Sequence, residues 1–138
     1  QKIQNEILDA FQKTKNNSGL NLNLALSYGS RQEILYATRK LVEKVALGEI
    51  NIMDINEECF SKMLHTKDLT DPDLLIRTGG EFRLSNFLLW QIAYTEIHIT
   101  DRCWPEFDKQ ELMTAIYEYQ NRERRFGKIS EQILANND

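Results

Sequence analysis

The sequence predicts an α/β fold with a mainly parallel sheet flanked by helices. Three observations carry that expectation. Leu20, Leu22, Leu24 and Leu26 alternate with Asn21, Asn23, Ala25 and Ser27, the period of a strand. Leu74-Leu75-Ile76 is a brief apolar run suited to a buried strand, and Glu96–Thr100 reads as a third. Segments with apolar residues at helical spacing separate the three, and strands that alternate with helices pair in parallel.

The elements follow in order. Ile3, Ile7, Leu8 and Phe11 fall on one helical face between Gln1 and Thr14, with no capping residue before them. A domain rarely begins in mid-helix, so an N-terminal part carrying further strands is expected to precede this chain. The alternating leucines come next, then a tight turn at Tyr28-Gly29-Ser30-Arg31. Ser30 and Glu33 have capping-box spacing. Ile34, Leu35, Thr38, Leu41, Val42 and Val45 form an amphipathic stripe that Gly48 stops. A short helix after Asn56 turns Phe60, Met63 and Leu64 inward, and Asp71-Pro72 marks a turn. Gly79-Gly80 ends the second strand. Ser85 is placed to cap a helix through Ile92. Asp108 and Glu111 form another cap-type pair, opening a last helix through Leu112, Ala115, Ile116, Tyr119 and Phe126. The tail Lys128–Asp138 reads as peripheral. The predicted order is α, β, α, α, β, α, β, α.

Composition narrows the function. The 138 residues suit one domain, residues 1–138, and 41% apolar with 28% charged is ordinary for a globular protein. Lys+Arg 17 against Asp+Glu 21 gives a formal charge of −4, which argues against general nucleic-acid binding. Two distant cysteines, Cys59 and Cys103, offer neither a zinc spacing nor a disulfide framework. No apolar run reaches the roughly 18–20 residues of a membrane span, and no signal-peptide core opens the chain. A cytoplasmic location is the corresponding expectation.

In open parallel sheets, ligands bind beyond the carboxyl ends of strands. Two turns there are unusually polar: Tyr28–Arg31, and Arg77-Thr78-Gly79-Gly80-Glu81-Phe82-Arg83-Leu84-Ser85-Asn86. Glycines allow close backbone approach, a helix N-terminus favours anions, and Arg77 and Arg83 are forked permanent cations. Together with the Ser85 hydroxyl they suit a phosphate or diphosphate. The plainer reading pairs both arginines with Asp71, Asp73 or Glu81 around an ordinary turn. Neither a P-loop nor a dinucleotide fingerprint is present. The basic run Arg122–Lys128 suits a helix C-terminus, or a tail laid over an anionic ligand. Glu96 could ligate Mg²⁺ or serve as a strand-edge acid. His65 and His98 are isolated, and no Ser-His-Asp or Cys-His set is arguable. Trp90, Tyr94, Trp104, Phe107 and Tyr117 are most simply core, with a subunit interface as the other reading.

Four ordered motifs are more specific. DPDLLIRTGGEFRLSNFLLWQIAYTE at Asp71–Glu96, SYGSR at Ser27–Arg31, WPEFD at Trp104–Asp108 and RERRFG at Arg122–Gly127 cover nearly the whole chain. Together they closely resemble the cis-prenyltransferases, the family of undecaprenyl diphosphate synthase. The resemblance implies a dimeric, Mg²⁺-dependent enzyme that adds isopentenyl diphosphate to an allylic diphosphate such as farnesyl diphosphate. Each new double bond is cis, and the product is a polyprenyl diphosphate lipid carrier of the kind used in cell-wall synthesis.

It further implies that Arg77, Arg83 and Ser85 bind the diphosphate of isopentenyl diphosphate and that Glu96 helps organise the metal site and the homodimer. Arg125 and Gly127 form an R-x-G element that closes over the partner subunit's site. A deep apolar tunnel is expected to house the growing chain, with at most peripheral membrane contact. The family's MDGNGRWA-like signature, with its main catalytic aspartate, does not occur in these 138 residues. No catalytic residue is therefore assigned, and the chain is expected to be a C-terminal portion carrying the isopentenyl diphosphate half-site, inactive alone. Ser30 stands where the family usually has glycine, Phe82 where many members have histidine, and Glu106 where aspartate is common. The competing readings are a non-catalytic partner subunit and a generic phosphate-binding module.

Overall fold

The computed structural model describes residues 2–122. Four α-helices and two strands follow in the order α1 Lys2–Thr14, α2 Ser30–Ala46, α3 Glu57–Ser61, β1 Leu74–Thr78, β2 Glu96–Thr100 and α4 Lys109–Gln120. One-turn 3₁₀ segments stand at Ile52–Asp54 and Trp104–Glu106. The two strands are parallel, Leu74 lying opposite Glu96 and Thr78 opposite Thr100. The fold class is therefore the expected one, and its sheet is smaller.

The missing strand is Leu20–Leu26. Its four leucines are 62–84% exposed, and among the described residues the sheet has two strands. Period-two alternation states which way side chains point, but a strand exists only where a neighbour accepts its backbone hydrogen bonds. The apolar face of α1 is likewise uncovered at Ile3, Leu8 and Phe11.

α2 shows how local signals and packing divide the work. Its stop is the one expected. Gly48, at φ +71°, donates to the Val45 carbonyl at 3.0 Å, and Glu49 to the Lys44 carbonyl at 2.9 Å. These are the two bonds of a Schellman motif, which satisfy carbonyls the helix leaves open. Its start differs. Gly29 is the N-cap and makes no side-chain cap bond, so the Ser30–Glu33 capping box does not form. The buried stripe is also rotated: Ser30, Glu33, Ala37 and Leu41 face inward, while Leu35 and Val42 are exposed. Small residues at 30 and 37 are both fully buried.

That chain is the second departure. Ser85, Asn86 and Leu88 have φ of +50°, +63° and +45°, so no helix runs through Ile92 and Ser85 is not its cap. Left-handed conformations cost L-residues about 1–2 kcal/mol each, and tertiary bonds to the start of α2 hold them here. Ser30 N–H donates to the Asn86 carbonyl at 2.8 Å and Arg31 N–H to Asn86 Oδ1 at 2.9 Å. Leu89 N–H donates to Ser30 Oγ at 2.9 Å. Serine at position 30 is thus accommodated, and its hydroxyl is used.

α3 starts as expected, Asn56 accepting from Cys59 N–H at 2.9 Å, and Leu64 beyond it is buried. Phe60 packs on Trp90 with ring centroids 4.4 Å apart, and Trp90 Nε1 donates to Ser61 Oγ at 3.0 Å. Tyr94, Trp104 and Tyr117 are exposed, against the expectation of core positions. Asp108 caps α4 through Gln110 and Glu111 N–H at 2.8 and 3.1 Å. The continuation of α4 to Phe126 and the tail Lys128–Asp138 lie outside the described residues. No helix among the described residues is long and apolar enough to cross a membrane.

Candidate functional site

β1 delivers Arg77 and Thr78 to the carboxyl edge of the sheet, and Gly79-Gly80 turns the chain away. Both glycines have positive φ, +83° and +66°. A Cβ on Gly80 would lie 2.7 Å from Asp101 Oδ1, the end of a side chain that can turn away, so it is the positive φ that calls for glycine. Gly79 N–H donates to the Arg102 carbonyl at 2.8 Å and Gly80 N–H to the Thr100 carbonyl at 2.9 Å. These amides bind the loop after β2, and no helix N-terminus follows at Ser85. The backbone and helix-dipole part of the expected anion site is therefore corrected: cationic side chains carry what anion affinity this turn has.

Arg77 and Arg83 line one cavity of about 330 Å³, together with Glu81, Phe82 and the apolar wall of Leu75, Phe87 and Ile97. Arg83 pairs with Glu81 at 2.8 Å, an exposed contact that screening weakens and a ligand can displace. Arg77 differs. Its Nε is buried and has no hydrogen-bond partner among the described residues. A buried unpaired donor costs about 1–3 kcal/mol, so this atom favours an incoming acceptor. Ser85 is exposed and does not line this cavity. Phe82 is exposed on its rim.

Sequence reasoning missed the most deeply buried acid among the described residues. Glu33 is 2% exposed. Its carboxylate accepts from Tyr28 Oη at 2.5 Å, His65 N–H at 2.8 Å and Gln91 Nε2 at 3.2 Å, and Gln91 Nε2 also reaches Thr66 Oγ1 at 2.9 Å. Burial, and then the Glu33 carboxylate beside it, push the Tyr28 phenol above its ordinary pKa. A signal existed: Glu33 stands four and eight residues before Ala37 and Leu41, in phase with a buried face. The network lies beside an apolar groove of about 540 Å³ walled by Leu24, Leu26, Tyr36, Leu69, Phe87 and Leu88.

Glu96 opens β2 at the opposite edge of the sheet from the Gly79-Gly80 turn. Its Oε2 accepts from Arg122 Nη1 at 3.0 Å, and the same nitrogen donates to the Ile97 carbonyl at 2.8 Å. Two residues on, His98 is buried and its Nδ1 meets Glu118 Oε2 at 2.9 Å, a contact that ties β2 to α4. Thr100 donates to Glu111 Oε2 at 3.3 Å. One face of β2 is therefore tied to α4 and to Arg122, two residues beyond it, by three polar contacts. No group of three or more His, Cys, Asp or Glu that could hold a metal occurs among the described residues. Mg²⁺ is often held by one or two carboxylates together with substrate phosphates, but Glu96 is already paired with Arg122 and lies on the strand face that meets α4, away from the Arg77–Arg83 cavity, so the described residues do not form such a site there. Arg125 and Gly127 lie outside the described residues.

Comparison with known proteins bears on the whole chain. The prenyltransferase family model, described as undecaprenyl diphosphate synthase, matches residues 1–127. The isoprenyl transferase of Oceanobacillus iheyensis is 53% identical over 126 residues, 91% of this chain and 50% of that protein. The ditrans,polycis-undecaprenyl-diphosphate synthase ((2E,6E)-farnesyl-diphosphate specific) of Vibrio cholerae is 48% identical over 135 residues, 98% of this chain and 54% of that protein. The chain spans about half the length of the curated relatives it matches. Among solved structures, lavandulyl diphosphate synthase from Lavandula x intermedia in complex with dimethylallyl diphosphate superposes with TM-score 0.84 at 40% identity, over 91% of this chain and 54% of that one. A probable undecaprenyl diphosphate synthase from Campylobacter jejuni gives TM-score 0.74 at 40% identity, over 92% of this chain and 57% of that one.

Proposed function

The chain belongs to the undecaprenyl diphosphate synthase family, and from that premise we propose that it is the C-terminal portion of a cis-prenyltransferase carrying the isopentenyl diphosphate half-site. The observation that carries the reading is that Arg77, whose buried Nε has no partner among the described residues, lines the same cavity as Arg83. A diphosphate supplies the acceptors that Arg77 lacks and competes with Glu81 for Arg83. Ser85 joins them only if its turn closes on the ligand. The apolar wall of the cavity suits the five-carbon body of isopentenyl diphosphate. The larger groove beside Leu24 and Leu88 is this chain's share of the surface along which the prenyl chain grows.

Chain elongation joins the nucleophilic double bond of isopentenyl diphosphate to the allylic carbon as the allylic diphosphate departs. A proton is then lost from the condensed product. Arg77 and Arg83 hold the nucleophile's diphosphate, which fixes its double bond in line and removes much of the entropic barrier. Mg²⁺, when bound, neutralises charge on the departing diphosphate. Glu96, which the family resemblance assigns to this ion, lies on the other face of the sheet from the Arg77–Arg83 cavity and is already paired with Arg122. The family resemblance at Arg125 and Gly127, outside the described residues, supports a homodimer as the working enzyme.

The test is elongation of farnesyl diphosphate by the complete protein with isopentenyl diphosphate and Mg²⁺. Polyprenyl diphosphates with cis double bonds are the expected products, and the 138-residue chain alone is expected to be silent. Failure of the complete protein to elongate, or robust elongation by the verified 138-residue polypeptide, contradicts the reading.

A further inference from the structure

We propose that Phe82 selects isopentenyl diphosphate over bare diphosphate, covering the five-carbon body while the arginines hold the charge. The inference rests on the reading that the Arg77–Arg83 cavity takes isopentenyl diphosphate. Phe82 is 85% exposed, yet it lines that cavity and stands between Glu81 and Arg83 in the chain. Phenylalanine carries no hydrogen-bond donor, acceptor or charge, so it has nothing to offer a phosphate. The ring serves either the carbon part of a ligand or the arginine beside it.

The placement follows from the fold. Residues 81–85 form a short bridge tied down at both ends. Before it, Gly79 and Gly80 N–H donate to the Arg102 and Thr100 carbonyls at 2.8 and 2.9 Å. After it, the Asn86 carbonyl accepts from Ser30 N–H at 2.8 Å, and Asn86 Oδ1 accepts from Arg31 N–H at 2.9 Å. The backbone therefore keeps Phe82 at the cavity although little covers its ring. The remaining apolar lining is fixed more firmly. Leu75 and Ile97 lie opposite one another on β1 and β2, and Phe87 meets Tyr28 edge-on with ring centroids 5.8 Å apart. Phe82 adds a separate apolar surface on the same short segment as Arg83.

The two uses of the ring differ in what they select. Contact with a five-carbon body removes apolar area from water on both partners, a gain that inorganic diphosphate cannot share. Stacking on a guanidinium would favour any diphosphate alike, because it acts through the arginine. Arg83 is engaged with Glu81 at 2.8 Å, which favours the first use. The division of labour is then simple. Arg77 and Arg83 supply affinity for the charged end, and Phe82 with the apolar wall supplies discrimination at the other.

The experiment measures binding of isopentenyl diphosphate and of inorganic diphosphate to the complete protein by calorimetry, with thermal melts of each variant free of ligand. Phe82→Ala is expected to weaken isopentenyl diphosphate about 3–30-fold and to leave inorganic diphosphate unchanged. Phe82→Leu keeps an apolar side chain and is expected to recover most of the loss. Arg77→Ala is expected to weaken both ligands. If Arg77→Ala weakens both while Phe82→Ala weakens both alike or neither, the selective role is overturned and the half-site reading stands. If Arg77→Ala leaves both unchanged, the two fall together. A loss in Phe82→Leu as large as in Phe82→Ala overturns apolar cover as the cause. Melting is expected to be unchanged in both Phe82 variants; a clear drop, or failure to fold, would mean that the ring packs in the ligand-free protein, and overturns the proposal.

Discussion

Arg77→Ala is expected to raise the KM for isopentenyl diphosphate about 10–100-fold in the complete enzyme, because removing charge-assisted hydrogen bonds costs about 1.5–3 kcal/mol. The variant is unusual in also relieving a native penalty. Arg77 Nε is buried without a partner, so its removal is expected to leave melting unchanged or slightly raised while substrate binding falls. The opposing movement separates a ligand role from a structural one. Steady-state kinetics at saturating allylic substrate read the first, and a thermal melt reads the second. An unchanged KM and kcat remove Arg77 from the site.

Glu33→Ala is expected to give the largest loss of stability, about 3 kcal/mol or more, on the scale of stripping one partner from a buried hydrogen-bonded charge. Three donors lose a bond at once: Tyr28 Oη and His65 N–H lose the Glu33 acceptor outright, and Gln91 Nε2 keeps only Thr66 Oγ1. They belong to the turn before α2, the chain beyond α3 and the chain before β2, so the loss loosens three segments and not one. Glu33→Gln preserves shape but replaces one acceptor with a donor, and is expected to fall between. Denaturant melts of the folded protein measure both. A cost below about 1 kcal/mol for Glu33→Ala would mean that water replaces the carboxylate without penalty.

What was legible in the sequence was chiefly what is local. The Gly48 stop, the Asn56 cap and the Asp108 cap each depend on a few neighbouring residues, and each is present. The two strands flanking the arginine turn were legible because continuous apolar character at 74–76 and alternation at 96–100 survive their surroundings. Leu20–Leu26 carries an equally clear alternation but no strand, because pairing requires a neighbour that local pattern does not contain. The turns at 85–92 were misread for the opposite reason. Their apolar residues have helix-like spacing, yet the segment is bonded to Ser30 and Arg31 and three of its residues have positive φ.

The candidate site divides in the same way. Arg77 and Arg83 were marked from residue type and position after a strand, and they share one cavity. The amide cradle and helix end imagined around them were not found, since Thr100 and Arg102 carbonyls take the glycine N–H groups. Those acceptors come from β2 and its following loop, about twenty residues along the chain, beyond the reach of motif spacing. Glu33 was legible only through its phase on a helix whose buried face Ser30 and Ala37 redirect. The Glu96–Arg122 contact joins the ends of two elements and has no sequence signature.

The central claim, that this chain holds the diphosphate of isopentenyl diphosphate, is tested most directly by a crystal structure of the complete protein with that ligand. A diphosphate oxygen within about 3 Å of Arg77 Nε, with the Arg83 fork turned from Glu81 toward it, is the expected result. A diphosphate bound away from this cavity, with Arg77 Nε still unpaired or satisfied by a protein carboxylate, would contradict it.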